Sequence, residues 1–259
     1  MSGRSFPLDD QRTFPITSRR GFPAGGVFTD FKADEFFNEV VLLLGLNGAD
    51  GATATSDEST FLNSVSFAGN AQLDTADKRF GSASVLLDGT GDHLVIPDNT
   101  NFSFVNTAFT IEGFAKMATV SSGVLIAKYG ATVPVAEWFL SYTGVGLQWV
   151  HFYGAGAPDV NSFVSVVGTA DFGTSDWHSW AVDQWDGDIR LYFDGLVVGS
   201  LFEVRSYPNK TSDVWVGARD HGSAQRHLDG WEDEIRVTKG VARYQGNSYA
   251  IPPNGWPRS

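Results

Sequence analysis

The chain contains no cysteine. Disulfides and thiolate metal sites are therefore excluded, and packing and hydrogen bonding alone must hold the fold. Long apolar runs are missing too. The strongest, Val40 to Leu46 (VVLLLGL), is far too short to span a bilayer and reads as a buried strand. The opening MSGRSFPLDD has no apolar signal core, so no export signal and no membrane insertion are expected. Positive charge is scarce: the formal net charge is −12, which argues against nucleic acid or anionic membrane as a partner. No stretch sustains a 3.6-residue apolar period, so helices should be few and short. Gly89-Thr90-Gly91 precedes a strand rather than a helix and is no phosphate loop, no Gly-x-Ser-x-Gly elbow occurs, and the five histidines lack metal-ligand spacing.

What the chain does have is turn residues and aromatics, with 29 glycines, 10 prolines and 14% aromatic residues in 259. Residues Trp177 to Ser200 (WHSWAVDQWDGDIRLYFDGLVVGS) organise the rest. Ile189, Leu191 and Phe193 alternate with Arg190 and Tyr192, which predicts a strand with one buried and one wetter face. Asp186-Gly187 and Asp194-Gly195 bracket it, and Asp-Gly suits two-residue hairpin turns because both positions tolerate positive φ. Three antiparallel strands in a meander follow. Further strands are expected at Val40–Leu46, Phe61–Ala71, Lys78–Asp88, His93–Ile96, Phe109–Phe114, Val124–Tyr129, Trp138–Tyr142, Leu147–Tyr153, Phe163–Val167, Val214–Val216 and Glu232–Thr238. About a dozen strands at this spacing predict two packed antiparallel sheets.

Residues 1–38 differ. They read RSFPLDDQ, RTFPITSR, RGFPAGGV, three consecutive octads opening at Arg4, Arg12 and Arg20 with Phe6-Pro7, Phe14-Pro15 and Phe22-Pro23 in register. Proline removes a donor and biases the preceding residue towards extended backbone, so a helix is excluded. Consecutive Phe anchors lie at most about 26 Å apart. The segment carries four arginines against two aspartates up to Val27, opposite in sign to the rest of the chain. One reading is a disordered tail with a chance repeat. The other is an anchoring arm in which Arg4, Phe6, Pro7, Arg12, Phe14, Pro15, Arg20, Phe22 and Pro23 bind a partner. Each Phe-Pro fills an apolar notch, each Arg pairs with a carboxylate, and the receptor repeats as in a symmetric assembly.

Five segments in order, KRFGSASVLLDGTGDHLVI, FTIEGF, WHSWAV, IRLYFDGLVVGS and DGWEDEIRVTKGVARY, resemble the successive signatures of LamG-like jelly-roll domains in the concanavalin A-like lectin/glucanase superfamily. The resemblance implies an all-β, two-sheet antiparallel jelly-roll sandwich over residues 39–248, preceded by the extended N-terminal arm (1–38) and followed by a Pro-rich tail (249–259). The final signature, Val237 to Tyr244 followed by Pro252-Pro253, resembles the version common in tailed-bacteriophage structural proteins. That resemblance implies a non-enzymatic virion component, assembled in the host cytoplasm and exposed on the virion surface. Its implied partners are other virion proteins of capsid or tail and further copies of itself, with capsid decoration slightly favoured over a tail component. The alternative is an adhesin that recognises a host surface glycan.

Superfamily glucanases use glutamates spaced along one strand. The nearest match here, Glu232 and Glu234, shares a face with Arg236 by strand alternation and reads as a solvated ion-pair row, so no catalytic residue and no enzyme activity are expected. No cofactor is expected beyond the structural calcium that many relatives carry. Asp92 in Gly-Thr-Gly-Asp and Asp233, which shares a face with Ile235 and Val237, are the expected ligands. A hydrogen-bonded turn aspartate is the alternative. Trp149, His151 and Tyr153 form a same-face row expected to bind carbohydrate, with Trp138, Trp185, Trp215 and Trp231 as further stacking candidates. The competing reading of these aromatics is sandwich core.

Overall fold

Asp-Gly turns force the central meander, and both form in the computed structural model, which describes residues 33–130, 136–153, 163–204, 207, 209–222 and 226–259. Asp186 and Gly187 have φ of 48° and 86°, and Asp194 and Gly195 have 49° and 75°. Both pairs therefore occupy the left-handed region that type I′ hairpins need. They join β11 (His178–Trp185), β12 (Asp188–Phe193) and β13 (Leu196–Phe202). The other strands are β1 (Val40–Leu44), β2 (Ser66–Ala68), β3 (Gln72–Asp74), β4 (Ser84–Asp88), β5 (His93–Ile96), β6 (Phe109–Met117), β7 (Gly123–Lys128), β8 (Trp138–Tyr142), β9 (Gly146–Phe152), β10 (Phe163–Thr169), β14 (Val214–Val216) and β15 (Asp229–Lys239). The octads at Arg4, Arg12 and Arg20 lie outside the described residues.

Among the described residues all strand pairing is antiparallel, in two sheets. One runs β13-β12-β11-β6-β15-β4-β3 with β1 also on β15; the other runs β10-β9-β8-β7-β14-β5-β2. The expected two-sheet jelly-roll sandwich is therefore present. Inward residues of both sheets form one core, in which Trp138, Trp149 and Trp180 are fully buried. Phe104 stacks on Phe109 at 4.2 Å and on Trp138 at 5.4 Å, and Trp138 stacks on Trp149 at 5.7 Å. Gly113 is required where Trp180 crosses β6, because a Cβ there would lie 2.6 Å from the indole.

The outer face of the eight-stranded sheet is not the wetter face that alternation predicts. Thr110, Glu112, Asp183, Tyr192 and Arg236 point outward yet are buried. The reason is the stretch after β15, which crosses this face as a strap. Asp183 accepts the backbone N–H groups of Tyr244 and Gln245 and the Thr110 hydroxyl. Tyr192 donates its hydroxyl to the Gly246 carbonyl. Glu112 pairs with Arg236 at 2.7 Å, and Asp34 bridges Arg236 and Arg243 at 3.0 and 2.9 Å. Nearer the end, Trp256 packs with Val40, Leu43 and Phe114, donates its indole N–H to the Glu234 carbonyl at 2.6 Å, and covers the Arg236 guanidinium. Residues 249–259 are thus irregular, as their prolines require, but they cover the sheet.

Candidate functional site

The β11–β12 turn sits at one end of the sandwich, beside the end of β13 and the loop before β6. Together they line a cleft of about 740 Å³ that includes Asn106, Gln184, Trp185, Asp186, Glu203 and Val204. Trp185 is 53% exposed, Phe202 71% and Val204 74%. A tryptophan of a sandwich is normally spent on core, as Trp180 five residues earlier is, so an indole held out at a cleft is an unspent apolar surface. It is positioned by the tight turn: Trp185 pairs with Asp188 across Asp186-Gly187, and Glu203 donates its backbone N–H to the Gly187 carbonyl at 2.7 Å. Gln184 shares the inward parity of Trp180 and Val182 but lies at the end of the core. It is only 8% exposed, and its side-chain oxygen is buried with no hydrogen-bond partner among the described residues. Such an oxygen wants a donor, and leaving it without one costs about 1–3 kcal/mol. Asp186 and Glu203 add acceptors, and no lysine or arginine lines the cleft among the described residues.

The family model described as the concanavalin A-like lectin/glucanases superfamily matches residues 88–243. The chain belongs to this superfamily. Its sandwich is also similar to solved binding domains. That of paraclostridial mosquitocidal protein 1 superposes with a TM-score of 0.63 at 14% identity, covering 81% of this chain and 51% of that one. The receptor-binding domain of botulinum neurotoxin D gives 0.58 at 16% identity, covering 81% and 51%. A structure titled for the dependence of botulinum neurotoxin type C cell entry on two ganglioside molecules gives 0.58 at 13% identity, covering 80% and 49%. The chain thus spans about half the length of these structures, and at such identities the likeness is one of fold. No curated protein matches the chain.

Within the superfamily fold, several expected site residues take other positions. Trp149 and His151 are fully buried and offer no surface to a sugar ring. Their shared parity points between the sheets, where Trp149 joins the aromatic stack and His151 lies flat on Tyr207 at 3.5 Å. Burial pushes the His151 pKa well below its ordinary value and leaves the ring neutral. Tyr153 packs half-buried against the same core. The expected sugar row is therefore core. Trp138 is also core, Trp215 stacks on His93 at 3.9 Å, and Trp231 donates to Asp74. Trp185 is the stacking candidate whose ring is open.

The expected ion-pair row on β15 is corrected by a bulge. The register with β6 shifts between Asp233 and Arg236, and Glu234 takes a left-handed φ of 52°. An extra residue moves the side chains before it to the other face. Glu232 therefore stands fully buried with both carboxylate oxygens unpartnered, and burial pushes its pKa well above the ordinary value. Glu234 instead locks onto Arg258 at 2.6 Å. Asp233 does not share a face with Ile235 and Val237; it accepts the backbone N–H groups of Arg79 and Phe80 at 2.9 Å each, and burial raises its pKa to about 7. Asp92 spends both oxygens on the backbone of Asn70 and Asp88. Among the described residues no group of three or more His, Asp or Glu is placed to hold a metal. Asp92 and Asp233 thus act as turn and loop anchors, and Asp233 keeps one carboxylate oxygen, Oδ1, buried without a hydrogen-bond partner among the described residues.

Proposed function

We propose that the chain is a non-catalytic carbohydrate-recognition module whose site is the Trp185 cleft. The observation that carries this reading is the half-exposed indole beside an acceptor that lacks its donor. A pyranose presents an apolar C–H face and a rim of hydroxyl donors; Trp185 supplies the flat surface, and Gln184, Asp186 and Glu203 supply acceptors. The Asp186 and Glu203 carboxylates at the rim disfavour an anionic ligand and favour an uncharged sugar at this position. Lectin-fold membership and the receptor-binding roles in the names of the similar toxin domains support the reading. The positions of Glu232 and Glu234 support the absence of catalysis, since a hydrolase needs two carboxylates facing one scissile bond.

A glycan array tests it. Neutral oligosaccharides are expected among the hits, and Trp185→Ala is expected to weaken them by about 2 kcal/mol, or roughly 30-fold, with an unchanged melting temperature. Hits unaffected by Trp185→Ala would place recognition elsewhere.

The three Arg-x-Phe-Pro octads favour anchoring to a repetitive scaffold, and with the resemblance of Val237 to Tyr244 to tailed-phage structural proteins they support a complementary reading, a virion structural protein held on a capsid or tail by its arm. Deleting residues 1–28 is expected to abolish incorporation into particles while leaving glycan binding intact. Undiminished incorporation removes the arm from assembly.

A further inference from the structure

The seven-stranded sheet carries a cation that has no counter-charge among the described residues. Beyond β14 the chain turns at Gly217, φ 82°, and presents Arg219 to the outer face. Its guanidinium lies over the rings of Phe139 and Tyr129, 4.9 and 5.2 Å from their centres. Its Nε is buried without a hydrogen-bond partner. Next to it, His221 stands 5.4 Å from the Tyr129 ring with a buried, unpartnered Nδ1. Arg190, Arg236, Arg243 and Arg258 all pair with carboxylates. Arg219 forms no ion pair among the described residues, and Arg226 adds a second positive charge close enough to depress its proton affinity beyond the effect of burial.

A half-buried guanidinium is costly unless paired, and stacking on two rings offsets only part of that cost because it leaves the N–H fork empty. At long range a chain of net charge −12 repels anions. An unpaired cation braced by Tyr129 and Phe139 is a local exception to that field. We propose that Arg219 and His221 form an oxyanion site that receives the carboxylate or sulfate of an acidic saccharide. The planar fork matches either group bidentately, and Phe139 and Tyr129 fix its plane before the ligand arrives. His221 donates from Nδ1 when that atom carries the proton. This site differs from the Trp185 cleft in sheet, in lining and in charge, so the two stand or fall separately.

Calorimetric titration of the full chain at low salt with sialyllactose, sulfated lactose, lactose and sodium sulfate tests it. The expected result is binding of at least one acidic saccharide, tighter than lactose itself, that Arg219→Gln weakens about ten-fold or more. Arg219→Lys, which keeps the charge and loses the fork, is expected to fall between; it also serves if the Gln variant does not fold. The two acidic arms decide between carboxylate and sulfate. Binding of sodium sulfate without either saccharide, saccharide binding indifferent to both Arg219 variants, or no binding by any acidic probe overturns the proposal. Loss of lactose binding in Trp185→Ala reports on the other site alone.

Discussion

Replacing Glu232 by Gln changes one atom in the core and should stabilise the protein increasingly as pH rises. Both carboxylate oxygens are buried without partners, and burial raises the pKa well above its ordinary 4.5. The unfolded chain loses this proton near its ordinary value, whereas the folded chain keeps it. A group whose folded pKa is raised gives its full contribution below the unfolded pKa and loses it as pH climbs towards the folded one. Each pH unit between the unfolded and the folded value costs about 1.4 kcal/mol. Gln titrates nowhere. Urea unfolding of wild type and Glu232→Gln from pH 5 to pH 8 should therefore show a stability difference that widens as pH rises, by at most about 1.4 kcal/mol per unit. The constant offset from burying an amide does not enter that slope, and Asp233, raised to about 7, is common to both proteins and cancels. Parallel curves would mean that Glu232 is ionised or partnered in the fold, and would refute the core placement and the bulge that causes it.

Other outcomes follow from the same packing. Trp149→Ala should destabilise the fold by about 3–5 kcal/mol in denaturant titration while leaving glycan affinity per folded molecule unchanged, since the ring is core. Trp256→Ala should cost a similar amount and speed hydrogen exchange in β1 and β6, whose outer faces it covers. His178 bonds Asp194 at 2.7 Å, which raises its pKa. Its contribution is present below about pH 6.5 and fades as pH rises through the folded value, and Asp194→Asn should remove that dependence, an effect under about 1 kcal/mol because the pair is partly exposed.

Period-2 alternation and Asp-Gly turns made the strands legible, His93–Ile96 and Val214–Val216 to the residue. β3 was not, because Gln72–Asp74 holds a single apolar residue, Leu73, between two polar ones. Alternation also misjudged what lies on each face. It assigned Tyr192 to a wetter side without any local sign that residues more than fifty positions further on would cover it. The β15 bulge inverted Glu232 and Asp233 because a left-handed Glu234 has no glycine to announce it. For the candidate site, Trp149 and Trp185 look alike in sequence. Their difference is tertiary: one sits mid-strand between sheets, the other at a hairpin end, and only the adjoining Asp-Gly turn hinted at it.

The most direct measurement is a crystal structure of the chain with the neutral oligosaccharide that binds it best. The account predicts a sugar ring lying flat on the Trp185 indole with a hydroxyl donating to the Gln184 side-chain oxygen. A saccharide bound on another surface, with the cleft open and that oxygen still unpartnered, would contradict it.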